Sequence, residues 1–147
     1  MYTGLLHLHS ALRWVVLILL VAATLRFLIG WFAKHSFGKG DEKLRLFTLI
    51  SAHLQLVIGL VLYFISPAVQ FNDKTMENDS LRFWSLEHIL MMILAIVCIT
   101  VGHSISKRKE EATAKHRILA IMFTLALVLI FSAIPWPWRA EIGRPLF

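Results

Sequence analysis

Four long apolar blocks separated by short polar stretches set the pattern of the chain. They run over about Leu5–Ala33, Leu44–Ile65, Phe83–Ser104 and Ile118–Ile134. Each is near the roughly 20 residues that carry a helix across ~30 Å of hydrocarbon. A soluble helix confines its apolar residues to a stripe at helical spacing, whereas these blocks are apolar almost all round. The pattern predicts an all-α fold, an integral membrane four-helix bundle forming a single domain over residues 1–147.

The polar stretches predict how the helices connect. Lys34–Lys43 is short, polar and glycine-containing, so the helices it joins are expected to be antiparallel neighbours in an up-down-up-down bundle. The second block stops at Ser66-Pro67, as helices often do before proline. Ala68–Ser80 is polar, carries Asp73, Glu77 and Asp79, and is long enough to fold over the mouth of the bundle. Ser106–Arg117 is basic, with room for a turn or two of surface helix. The fourth block lacks charge within Ile118–Ile134, reads as a packing helix, and ends in Pro135-Trp136-Pro137-Trp138, an aromatic anchor suited to the interface.

Composition agrees: 58% of the residues are hydrophobic and the mean hydropathy is +0.71, well above an ordinary soluble domain. The net charge of +6 raises the question of a nucleic-acid partner, but its distribution argues against one. Lys34, Lys39, Lys43 and Arg45 flank the first connection, and Lys107, Arg108, Lys109, Lys115 and Arg117 flank the third. Such loops face the cytoplasm by the positive-inside rule, which predicts that both termini and the central acidic loop are extracytoplasmic. Met1–Leu6 lacks a basic region, so the first block is expected to remain as a transmembrane helix. The single cysteine, Cys98, has no intrachain disulfide partner and reads as a small core residue.

Against this background the ionisable residues inside the blocks carry the candidate chemistry. His9 and Arg13 stand a helical turn apart near the start of the first block; Glu87 and His88 sit side by side about one turn into the third. Charged groups at membrane depth are costly and usually mark functional sites. With helices one and three starting at the same face, His9 and His88 fall at similar depth, about 6 Å in at 1.5 Å per residue. Two imidazoles from facing helices can ligate the iron of a haem within a bundle. Arg13 and Arg82 lie at a depth that suits haem propionates, and Ser10, Met91, Met92 and Ala95 offer small or flexible walls. The alternative is that both histidines merely hydrogen-bond at the interface. Glu87 is a candidate proton acceptor beside the site, or a structural ion-pair partner of Arg13. His53, Gln55 and Arg26 are expected to form a second polar patch, where His53 suits a quinone head group, a proton route or a haem. His35, His103 and His116 read as interface residues. No HExxH helix, CxxC pair, phosphate-binding glycine loop or GxSxG elbow is present.

The stretches Leu8-His9-Ser-Ala-Leu-Arg13-Trp14, His53-Leu-Gln55-Leu-Val-Ile-Gly59 and Arg82-Phe-Trp84-Ser-Leu-Glu87-His88-Ile-Leu-Met91-Met92 resemble short four-helix bacterial membrane proteins of the cytochrome b-like kind. The likeness extends to Ile134-Pro-Trp-Pro and so covers nearly the whole chain. It implies haem b, with His9, Arg13, His53, Glu87 and His88 as the matching positions, in a multi-pass protein of the bacterial cytoplasmic (inner) membrane. The large respiratory cytochromes b differ, carrying paired histidines on two helices at two depths. The chain is also distantly similar in size and layout to copper-resistance D-like proteins and small membrane protoporphyrinogen oxidases. The leading expectation is a haem b-binding protein acting in electron transfer or as a subunit beside other membrane redox proteins. A quinone-linked oxidoreductase acting on a porphyrin, and a non-catalytic structural or assembly subunit, are the rival expectations.

Overall fold

The computed structural model describes residues 1–144, so the last three residues of the expected domain lie outside the described residues. Four helices dominate: α1 (Tyr2–Phe32), α2 (Lys39–Ile65), α3 (Asp79–Lys107) and α4 (Ala112–Ala133), with no strand among the described residues. Each is long and apolar enough to cross a membrane. Their outward faces expose Ile18, Leu25, Val57, Val61, Leu90, Val97 and Val128. So continuous an apolar exterior is unfavourable in water and natural in lipid. The chain is a multi-pass membrane protein.

The helices run longer than the apolar blocks. Hydropathy measures the hydrocarbon-facing length, whereas a helix continues until its end is capped. α2 begins at Lys39 rather than Leu44 because Gly38 is extended and the Asp41 carboxylate accepts its N–H at 3.0 Å. Asp41 and Glu42 occupy that first turn, where the helix dipole favours negative charge. α4 starts at Ala112, so part of the basic connection is the first turns of the helix itself. α1 ends where Lys34 adopts a left-handed conformation (φ 52°) and the His35 N–H returns to the Gly30 carbonyl at 3.0 Å.

α1 packs against α2 and α4, and α4 packs against α3; α2 meets α3 along a lighter seam. Leu20 and Phe27 of α1, Ile99 of α3, and Leu119 and Phe123 of α4 are wholly enclosed. Between them, Ala23, Ala52, Ala95, Ala120 and Ala126 keep side chains short where helices approach. Cys98 packs at the edge of this core. The Tyr2 hydroxyl meets Ser66 Oγ at 3.4 Å, and Arg26 reaches Asp41 at 2.7 Å, so the two ends of α1 touch opposite ends of α2.

α3 is not uniform. Asp79–Arg82 is α-helical, Phe83–Glu87 is a π-helical turn, and His88–Lys107 is α-helical again. The His88 N–H bonds the Phe83 carbonyl five residues back. One extra residue in a turn rotates everything after it by about 100° relative to an unbroken α-helix. Three contacts hold the widened turn. The Tyr63 hydroxyl donates to the Ser85 carbonyl at 2.8 Å. Ser85 Oγ accepts the Gln70 N–H and donates to the Gln70 carbonyl, both at 2.9 Å, which docks the loop after α2. Beyond α4, Arg139 lies 5.1 Å from the Phe83 ring centre and Arg144 lies 5.0 Å from that of Trp84.

Candidate functional site

A cavity of about 380 Å³ opens at the end of the bundle that holds the π-helical turn. α1 contributes Tyr2, His9 and Arg13; α2 contributes Gln55, Gly59 and Tyr63; α3 contributes Trp84, His88 and Met92. Ala68 and Val69 of the acidic loop close one side, and Ile134, Pro135 and Arg144 another. Of the Ala68–Ser80 loop, these two residues beside the end of α2 are the ones in the cavity lining.

His88 is the most firmly oriented of these groups. Its Nδ1 stands 2.8 Å from the Ala133 carbonyl. A carbonyl only accepts, so Nδ1 carries the hydrogen and the neutral ring keeps its lone pair on Nε2. Phe83 and Trp84 flank the ring, each with its centre 5.7 Å away. A backbone carbonyl holding one ring nitrogen is the usual support of a histidine whose other nitrogen ligates.

His9 is differently held. Its Nδ1 is buried and has no hydrogen-bond partner among the described residues. A Cβ built on Gly59 would stand 3.0 Å from the His9 Cε1, so the ring lies directly against that glycine. Gln55 Nε2 donates to the His9 carbonyl at 2.9 Å, while its own Oε1 is buried without a partner among the described residues. Two orphaned polar atoms on one cavity wall are uncommon and point to something that completes them. Arg13 also lines the cavity, its guanidinium 5.4 Å from the centre of the Trp14 ring.

Of the residues singled out in the sequence, His9, Arg13, His88 and Met92 meet at this cavity; Arg82, Glu87 and His53 are not among its lining. Glu87 pairs with Arg82 at 2.7 Å rather than with Arg13, and Arg82 also binds Asp79 at 2.8 Å and the Met76 carbonyl at 3.1 Å. The cause is the π-helical turn, which brings residues five apart onto one face. Arg82 is thus held by its own helix and loop, outside the position expected of a propionate partner.

The expected second polar patch divides into separate places. Arg26 binds Asp41 through two hydrogen bonds, at 2.7 and 3.0 Å, and donates to His35 Nδ1 at 2.9 Å. Gln55 serves the His9 carbonyl. His53 Nδ1 donates to the Leu49 carbonyl at 2.8 Å, and its Nε2 lies 3.4 Å from Thr100 Oγ1, between α2 and α3. Among the three histidines expected at the interface, His35 is exposed, but His103 and His116 are enclosed by protein. His116 packs between Phe27 and Phe37, tilted against both rings, and bonds the Ser36 carbonyl at 3.3 Å. Hydropathy gives depth, not the direction a side chain faces.

Tyr2, Tyr63 and Arg144 are cavity residues that the apolar pattern does not single out. Arg144 arrives because the segment after Pro135 folds back, its N–H bonding the Pro135 carbonyl at 3.0 Å. Comparison with protein-family models, with curated proteins and with solved structures finds no match. The site is therefore read from its own chemistry.

Proposed function

We propose that the protein binds one haem b in this cavity and acts in electron transfer, alone or as the haem-bearing subunit of a membrane redox complex. The observation that carries the reading is the donor set: His9 and His88, from separate helices, line one cavity. Among the described residues no group of three or more His, Cys, Asp or Glu could hold a metal ion. A bare zinc ion usually takes three or four protein ligands, whereas iron in a macrocycle needs only axial ones. A two-imidazole site fits the second case.

The remaining residues fit the same group. About 380 Å³ is within the usual range for a cofactor pocket, and Gly59 makes room in its wall for the His9 ring. The His88 Nε2 lone pair is directed by the Ala133 carbonyl, and the buried His9 Nδ1 awaits a partner. Arg13 and Arg144 would supply positive charge for propionates, while Leu56, Met92 and Ile96 exclude water. Haem, when bound, supplies one-electron exchange at its iron. The protein's part is to orient the imidazoles and set the polarity around the ring.

In the same reading the helices run antiparallel, up-down-up-down, in a bacterial cytoplasmic membrane, with both termini outside. The Tyr2–Ser66 and Arg26–Asp41 contacts support the arrangement, and the basic connections support the orientation. Haem then sits in the outer half of the bilayer, near soluble or membrane redox partners on that side.

The test is a dithionite-reduced minus oxidised visible spectrum of purified protein, with and without added haem. A sharp α-band is expected for the wild type. His9→Ala and His88→Ala are expected to lose haem or hold it in a five-coordinate, high-spin form, while His35→Ala leaves the spectrum unchanged. A wild-type protein that shows no haem band even after supplementation rules the reading out.

A further inference from the structure

The opposite end of the bundle holds a second feature, unrelated to the histidine cavity. The start of α2 and the end of α3 frame a cleft of about 490 Å³, lined by Lys39, Glu42, Lys43, Arg45, His103 and Lys107 together with Leu46. Arg45 is its anomaly. Only 6% of the residue is exposed, yet no carboxylate of the described residues is at ion-pair distance from it. One Nη donates to Ser106 Oγ at 3.0 Å, the guanidinium lies 5.6 Å from the centre of the Phe37 ring, and Nε is buried with no hydrogen-bond partner among the described residues. His103, 9% exposed, adds a buried Nδ1 in the same condition.

Two half-buried arginines at other helix ends are treated differently. Arg26 has Asp41 in a two-bond pair, and Arg82 has both Asp79 and Glu87. Around Arg45 the chain places three lysines instead, with Glu42 as the sole acid of the cleft. A buried guanidinium surrounded by like charge is unfavourable unless an anion stands among them. A phosphate oxygen accepts from both guanidinium and ammonium donors. Next to the cleft, Leu46, Phe47 and Ile50 present an exposed apolar strip along α2, which packs more lightly on α3 than on α1. A phosphate lodged among the cations would leave acyl chains lying along that strip.

We propose that this cleft is a phosphate-anion site, filled by the headgroup of an anionic phospholipid, with Arg45 as the central donor and Lys43 and Lys107 at its rim. The cations of the first and third connections then do more than set orientation. They hold a lipid that closes the weak seam between α2 and α3.

The test compares thermal unfolding of the full chain in phosphatidylcholine nanodiscs with and without phosphatidylglycerol. A ligand that binds only the folded state raises the midpoint in proportion to the logarithm of its concentration. The wild type is expected to show such a rise. The Lys43→Gln/Lys107→Gln variant, which alters exposed rim residues and leaves the buried Arg45 intact, is expected to bind roughly tenfold more weakly, as loss of charge-assisted hydrogen bonds predicts. Lys109→Gln, outside the cleft, is expected to respond like the wild type. An equal rise produced by inorganic phosphate in pure phosphatidylcholine discs keeps the anion site and assigns it to a soluble phosphate. No rise with either anion, or a full rise in the Lys43→Gln/Lys107→Gln variant, overturns the proposal.

Discussion

The His9 ring rests against Gly59, and the missing side chain of that glycine is what leaves the imidazole its place: a Cβ there would come within 3.0 Å of Cε1 and 3.6 Å of Nδ1. His88 owes its own orientation to a different element, the carbonyl of Ala133 at the end of α4. The two imidazoles are therefore positioned by α2 and α4 respectively, and can be disturbed one at a time.

Gly59→Leu makes use of this independence. An alanine needs the ring to yield by a few tenths of an ångström, but a leucine fills the space beside it. The variant is expected to keep its helical content, since Gly59 lies within an intact α2 and leucine is a better helix former than glycine. It is expected to lose the low-spin haem spectrum, with Gly59→Ala intermediate. Circular dichroism and the visible spectrum of the same sample check both halves. An unchanged spectrum in Gly59→Leu would remove His9 from the ligand set.

A double-mutant cycle distinguishes the ion pair that is present from the one the sequence suggests. Glu87 lies 2.7 Å from Arg82, so Arg82→Gln and Glu87→Gln are expected to be non-additive in thermal midpoint. Arg13→Gln and Glu87→Gln are expected to add, because groups that share no contact behave independently. Coupling in the second cycle and none in the first would show that the π-helical turn does not form in the membrane as described.

The bundle itself is legible in the sequence because lipid demands it. Every backbone group in the hydrocarbon must be bonded within its own helix, so the spans appear as unbroken apolar blocks. His9 and His88 are legible for the complementary reason, as polar interruptions of those blocks. The π-helical turn is not, because Phe83–Glu87 has no sequence mark that separates it from α-helix. Its widened backbone is held by Tyr63, Gln70 and the segment after Pro135, all distant in sequence. The Glu87–Arg82 pair depends on that turn and is hidden with it. Arg45 and His116 are hidden otherwise: their depth follows from hydropathy, but their burial depends on which way each helix faces, and the apolar pattern is nearly uniform around each helix.

His116 carries its own prediction. It is wholly enclosed, and a Cβ on Gly30 would collide with three atoms of its ring. Neither can shift freely, since Phe27 and Phe37 bracket the imidazole. Gly30→Ala is expected to destabilise the protein by about 1–3 kcal/mol, the range for an overpacked core. His116→Ala removes the obstacle, so the double variant is expected to be more stable than the sum of the two losses allows. Strict additivity, measured by denaturant unfolding in mixed micelles, would mean that α1 and α4 do not approach as closely as described here.

Orientation in the membrane is open to a direct chemical test, and the structure chooses the positions. Asn78 lies in the acidic loop, but its side chain caps α3 by accepting the Leu81 N–H at 2.9 Å, so replacing it disturbs the helix start. Asp73 is exposed and lies in the same loop, which makes it the better site for a cysteine. On the other side Lys109 is exposed in the basic connection between α3 and α4. In a Cys98→Ser background, an impermeant maleimide added to intact cells is expected to label Asp73→Cys and to leave Lys109→Cys unlabelled until the membrane is opened. The cations on either side of Lys109 favour the cytoplasmic face, and a cytoplasmic Lys109 leaves the His9–His88 cavity in the outer half. Labelling of Lys109→Cys alone in intact cells would reverse the orientation and turn the cavity toward the cytoplasm.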